Sequence, residues 1–152
     1  MISVDDVAAY ILQKQGPMSS MKLQKLLYYS QAWSLVWDER PLFGEPVEAW
    51  IGGPVIRSIY DSHKGQFIVS AWSEGDSSKL DESARETVDA VLDTYGAMTA
   101  QQLSDLTHGE TPWITAREGT QPNERGNIRI TDAMMHEYYS GLPKDVTLAK
   151  QA

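Results

Sequence analysis

Three histidines, no cysteine and a dispersed set of carboxylates are the chemical repertoire of this 152-residue chain. His63, His108 and His136 lie much farther apart than the few residues that separate paired metal-binding imidazoles. His136-Glu137 also lacks the second histidine that would complete a zincin helix. The absence of cysteine removes thiol nucleophiles, iron–sulfur ligation, thiolate zinc sites and disulfides. No G-x-G-x-x-G, Walker A or G-x-S-x-G run occurs. The residues therefore predict no metal, no cofactor and no catalytic group. His108 alone has local context, standing five residues before Trp113 across the turn Gly109-Glu110-Thr111-Pro112. Its expected role is structural, an imidazole that caps a helix end and packs on the indole. A small hydrolase using His108 with a nearby carboxylate is the enzymatic alternative.

The remaining side chains with recognition potential are aromatic. Five Trp are present, and Trp and Tyr are over-represented at protein interfaces. Trp33 and Trp37 fall on an apolar helical stripe and are expected in the core. Adjacent helical residues point in different directions, so one tyrosine of Tyr28-Tyr29 and one of Tyr138-Tyr139 is expected at the surface. Thirteen Lys+Arg against 21 Asp+Glu give a net charge of −8, shared between the halves as −3 and −5. Nucleic-acid affinity rests on clustered basic side chains. The densest pair here, Lys22 with Lys25, disfavours that partner. A basic protein or peptide suits the charge better. No apolar run reaches the roughly 18–20 residues of a membrane span. The opening Met1-Ile2-Ser3-Val4-Asp5-Asp6 has no basic leader region, so a cytoplasmic location is expected.

The elements that must position these residues are mostly helical. Ser3 caps a first helix with Asp5 and Asp6 in its opening turn, and Gly16-Pro17 ends it. A second begins near Ser19 or Ser20. There Leu23, Leu26, Leu27, Ser30, Trp33 and Trp37 form one stripe, with Lys22, Lys25 and Gln31 outside it. Val47–Ile51 reads as a strand, and Gly52-Gly53-Pro54 places Pro54 in the first turn of a short helix. Residues 64–80 read as a mobile Gly/Ser-rich loop. Asp81 starts a helix ended by Gly96, and Thr99 with Gln102 forms a capping box. Thr111 caps a helix with Pro112 at its first position, Ile128–Ile130 suits a strand, and Thr131 caps a last helix. The expected fold is mostly α, a single compact domain of about six to seven helices with a possible small β-ribbon.

The run Lys22-Leu23-Gln24-Lys25-Leu26-Leu27-Tyr28-Tyr29-Ser30-Gln31-Ala32-Trp33 is more specific than periodicity. With Pro41-Leu42-Phe43, Glu48 to Val55 and Tyr60, then Leu106-Thr107-His108 and Pro112-Trp113, it resembles the Panacea domain family of SocA/GepA-like antitoxins. On that resemblance residues 20–140 are the domain, 1–19 an N-terminal helix packed on it and 141–152 a C-terminal tail. Leu23, Leu26, Tyr28, Trp33, Gly53, Pro54, His108 and Trp113 carry its structural motif. The resemblance implies a non-enzymatic antitoxin that neutralises a cognate protein toxin, encoded by a neighbouring gene, through direct protein–protein contact. Phage-borne members exist, and one member acts as an adaptor to a ClpXP-type protease. A regulatory adaptor without its own toxin is thus a further alternative. Specificity for unrelated toxins is expected in variable surface: segment 38–80, with Trp50, Phe67 and Trp72, flanked by Lys22, Lys25 and Tyr29. Trp72 is the expected anchor, against a competing reading in which it folds back on Phe67 and Val69 as a satellite core.

Overall fold

Ser19 holds an extended backbone and its hydroxyl accepts the Lys22 N–H, which starts the helix that organises everything else. In the computed structural model, which describes residues 2–142, this is α2 (Ser20–Trp37). Before it come α1 (Val4–Gln15) and the two-residue strand β1 (Met18–Ser19). After it come β2 (Val47–Trp50), β3 (Gly53–Ile56), α3 (Arg57–His63) and β4 (Ile68–Val69). A 3-10 turn (Ser77–Lys79) leads into α4 (Glu82–Tyr95), α5 (Ala100–His108), α6 (Thr111–Arg117), β5 (Arg129–Ile130) and α7 (Asp132–Ser140). The described residues thus form a single compact, mostly helical domain with seven α-helices and two small antiparallel sheets. One sheet pairs β1 with β4, and the other has the order β3-β2-β5.

Most helix boundaries follow from the caps. Ser3 and Asp6 make a reciprocal capping box on α1, and Gly16 ends that helix at φ +85°, a conformation that favours glycine. Asp81, Thr99 and Thr131 cap α4, α5 and α7 through their side chains. α2 is wrapped by α1, α4, α5, α7 and β3. It is buried on nearly every side, which hides Leu23, Leu26, Leu27, Tyr28, Tyr29 and Trp33 together. No helix among the described residues is long and apolar enough to cross a membrane.

Three local expectations need correction. Gly52-Gly53-Pro54 opens no helix: Pro54 lies within β3, an edge strand where its missing N–H breaks no ladder, and α3 begins only at Arg57. Glu110, not Thr111, is the N-cap of α6, which moves Pro112 to its second position. Segment 64–80 is not a free loop. Val69 pairs with Met18 in the β1–β4 ladder, the Trp72 indole donates to Asp5 Oδ1 at 2.9 Å, and the Asp76 N–H donates to Asp6 Oδ1 at 2.8 Å. Gly75 sits so close to the α1 backbone that a Cβ there would overlap the Asp5 carbonyl. Beyond Leu142 the expected tail lies outside the described residues.

Candidate functional site

Most polar side chains of α2 point inward, and Gln24, Lys25, Tyr29 and Gln31 bind the segments packed around it. Gln24 and Gln31 are seven residues apart, hence on one face two turns apart. Gln31 Oε1 accepts the N–H groups of Leu42 and Phe43 (2.8 and 3.2 Å), and its amide donates to the Phe43 carbonyl (2.9 Å). Gln24 does the same for β3, accepting the Ile56 N–H at 2.8 Å and donating to the Ile56 carbonyl at 3.2 Å. The Gln24 amide also lies 3.0 Å from His63 Nε2. An amide nitrogen can only donate, so His63 accepts there and is neutral. Burial, with the nearby Lys25 charge adding to it, holds the His63 pKa below its ordinary value.

Lys25 is fully buried. Its Nζ donates to the Pro54 carbonyl at 3.2 Å, and no carboxylate among the described residues is within ion-pair distance. Burial alone pushes its pKa down to about 7, so the ammonium titrates near neutrality. Above it, Gly53 adopts φ +124° and leaves room for the lysine stem. A Cβ at Gly53 would sit 2.5 Å from Lys25 Cε.

At the next level of α2, Tyr29 and Tyr139 both donate to Glu110 Oε1, at 2.8 and 2.7 Å. Tyr139 has one proton and spends it on Glu110, so Tyr28 is the donor in the 2.9 Å contact between their hydroxyls. Tyr29 stacks on Tyr95 with ring centroids 4.1 Å apart, and the Trp33 indole donates to the Tyr95 hydroxyl at 3.0 Å. Burial raises the Glu110 pKa, and the two tyrosine hydrogen bonds offset only part of that. The burial of Tyr28, Tyr29 and Tyr139 raises theirs as well. Lys25 and Glu110 are thus both displaced toward neutrality, as buried ionisable groups without ion partners must be. Two clefts open on the surface: about 700 Å³ between the starts of α1 and α4, and about 290 Å³ between α6 and α7. Neither is lined by Lys25 or Glu110. No group of three or more His, Asp or Glu among the described residues could hold a metal ion. The chemistry of this network is structural: it fixes where the strands, α6 and α7 sit around α2.

The expected contact residues are divided by this arrangement. Phe67 stands free at 78% exposure. Lys22 is half-buried, with its Nζ on the Gly96 carbonyl at 2.6 Å. Lys25 and Tyr29, expected on a polar outer face, have no exposed surface: β3 covers Lys25, while Glu110, Tyr95 and Tyr139 pack on Tyr29. Both tyrosines of the Tyr28-Tyr29 pair are inside, because Tyr139 of α7 packs on Tyr28 as well. Trp50 and Trp72 are each 7% exposed. Trp72, expected to lack local apolar cover, belongs to the core cluster and is tied to α1, 67 residues away in sequence, by its bond to Asp5. Trp72 and Val69 both belong to the main core, and Phe67 stays outside, so the satellite core of Trp72 with Phe67 and Val69 does not form either.

His108 packs on Trp113 as expected, with the rings 4.2 Å apart, but its imidazole reaches the Ile51 carbonyl and the Gly109 N–H makes the helix-end bonds. Its Nε2 lies 3.1 Å from the Ile51 carbonyl, while the Trp113 indole donates to the Trp50 carbonyl at 2.8 Å. The two rings therefore hold the β2–β3 turn. Sequence reasoning missed Gln24, Gln31 and Glu110. The available signal was two glutamines seven residues apart in an otherwise apolar helix, and an acid directly before Thr-Pro-Trp.

Exposed apolar side chains gather at one end of α2. Met21 Cε lies against Gly52, beside the exposed Ile51, and the Ser20 N–H donates to the Phe67 carbonyl at 2.9 Å, next to the exposed Ile68. The described residues thus combine a central helix buried on nearly every side with exposed apolar side chains at one end of it. Residues 23–114 match the family described as "Antitoxin SocA-like, Panacea domain", and the chain belongs to that family. It is also similar to Antitoxin SocA of Caulobacter vibrioides (strain NA1000 / CB15N), 30% identical over 150 residues that span 88% of this chain and 80% of that protein. No solved structure matches it.

Proposed function

We infer that this protein is a non-enzymatic antitoxin that neutralises a protein toxin by binding it directly. The observation that carries the reading is membership of the SocA-like family, supported by the likeness to Antitoxin SocA over most of both chains. The interior supports it too, because the distinctive polar residues of α2 are spent on the fold and not on a substrate. In this reading the toxin is encoded beside the antitoxin. It docks on the end of α2 where Phe67 is exposed with Met21, Ile51 and Ile68, and Lys22 lies at the rim. The net charge of −8 favours a basic partner and speeds encounter with it.

The test is co-expression of each adjoining reading frame with and without this chain. One frame should arrest growth alone, be tolerated with the antitoxin, and co-purify with it. Phe67→Glu combined with Met21→Glu should abolish both rescue and co-purification while the melting temperature stays near wild type. Rescue without a stable complex would overturn neutralisation by contact. An unchanged complex with the double variant would move the contact elsewhere.

A further inference from the structure

Strand alternation gives the three-stranded sheet two unlike faces. Val47 and Ala49 face the core, while Glu48 and Trp50 share the outer face, and Arg129 stands directly across from Glu48 in register. Arg57 reaches the same face and forms an ion pair with Glu48 at 2.9 Å. The Arg125 guanidinium lies over Trp50 at 4.6 Å and over Tyr60 at 5.5 Å from the ring centroids. Three of the chain's six arginines therefore meet on one face of a protein whose net charge is −8.

Among the described residues Arg125 and Arg129 have no ion pair. Arg125 is nonetheless held in place. Arg117 donates to the carbonyls of Gln121, Glu124 and Arg125, and to that of Ala49 in β2, so it fastens the loop carrying Arg125 to the sheet. Gly126, at φ +83°, lets the loop pass: a Cβ there would sit 2.5 Å from Arg117 Nη1. A guanidinium stacked by its face keeps its edge N–H donors free, and that edge matches a carboxylate bidentately.

We propose that the outer face of the β3-β2-β5 sheet binds an acidic, extended polypeptide segment, whose carboxylates pair with Arg125, held over the Trp50 ring, and with Arg129. Charge complementarity carries the choice of occupant. Glu48 pairs Arg57 and Asp61 lies near it, so Arg125 and Arg129 suit two partner carboxylates, whereas a nucleic acid needs a longer basic track than this acidic chain offers. The contact goes beyond toxin neutralisation and does not depend on it.

The test is fluorescence anisotropy on the full chain with three labelled probes: an octapeptide alternating Glu and Leu, its Lys-for-Glu counterpart, and an oligothymidine of similar length. The Glu peptide should bind, and bind more weakly as salt rises. Arg125→Glu and Arg129→Glu should each weaken it roughly tenfold or more, while Lys14→Glu on α1 leaves it unchanged. Binding should alter tryptophan emission, and Trp50→Phe should remove most of that change. Circular dichroism checks that each variant is folded, and Arg125→Gln provides a milder second variant. Equal binding of the Glu and Lys peptides, no binding of either, tighter binding of oligothymidine, or indifference to both reversals would each overturn the proposal. Growth rescue reads toxin neutralisation separately, so failure of one reading is distinguishable from failure of the other.

Discussion

Tyr139 donates its hydroxyl proton to Glu110 Oε1 over 2.7 Å, joining α7 to the N-cap of α6 through the centre of the domain. Glu110 occupies a capping position but makes no side-chain cap bond; its carboxylate turns inward to serve Tyr29 and Tyr139. A cap bond contributes about 1 kcal/mol. Two bonds to one buried carboxyl contribute more, because they also satisfy two buried hydroxyls that would otherwise be costly.

The same arrangement fixes a pH dependence. Burial raises the Glu110 pKa in the folded state. The folded chain therefore holds more protons than the unfolded one between the ordinary value of about 4.3 and the raised value. Stability from the neutral carboxyl is full below that window and is lost as pH rises through the folded pKa. Glu110→Gln, which can still accept both hydroxyls, should flatten this decline in urea unfolding from pH 4 to 8. Glu110→Leu should lose about 2–4 kcal/mol, because the Tyr29 hydroxyl loses its acceptor and Tyr139 keeps only Tyr28.

Lys25 should act in the opposite sense. Its folded pKa of about 7 lies below the unfolded value. The unfolded chain therefore binds the extra proton above pH 7, and stability rises from pH 7 toward 9.5 by on the order of a few kcal/mol. Lys25→Met keeps most of the packing and should remove the rise. An identical slope in wild type and variant would mean that the ammonium is solvated in solution.

Gly53→Ala should destabilise by about 1–3 kcal/mol from backbone strain at φ +124°, and by more through contact with Lys25. In a double-mutant cycle, Lys25→Ala should relieve part of that cost and leave the backbone part. Denaturant midpoints for the four proteins measure the coupling. Simple additivity would show that the lysine stem moves aside freely.

Trp72→Ala should lower the melting temperature, with a loss of up to about 3–5 kcal/mol for a buried tryptophan. Phe67→Ala, two positions before the buried Val69 but 78% exposed, should stay within about 0.5 kcal/mol of wild type. Calorimetric melts of the two variants make the comparison. Equal small effects would mean that segment 64–80 is not packed on α1 in solution.

Local features were legible in the sequence. Caps at Ser3, Ser19, Asp81, Thr99 and Thr131 set helix starts because a side-chain oxygen within reach of its own helix needs no distant partner. The His108–Trp113 pair was legible for the same reason, since only five residues separate them. The motif on α2 was legible as a pattern, and its resemblance identified the family. Which of its side chains face solvent was decided by tertiary structure alone. A polar residue off an apolar stripe normally faces water, yet Lys25, Tyr29 and Gln31 are covered because other elements surround α2 on all sides. Their partners at Pro54, Glu110 and Phe43 lie 29, 81 and 12 residues away. Trp72 likewise found its hydrogen-bond partner 67 residues away at Asp5. Periodicity reports only the neighbours a residue has within its own element, whereas burial depends on what folds against it from elsewhere in the chain.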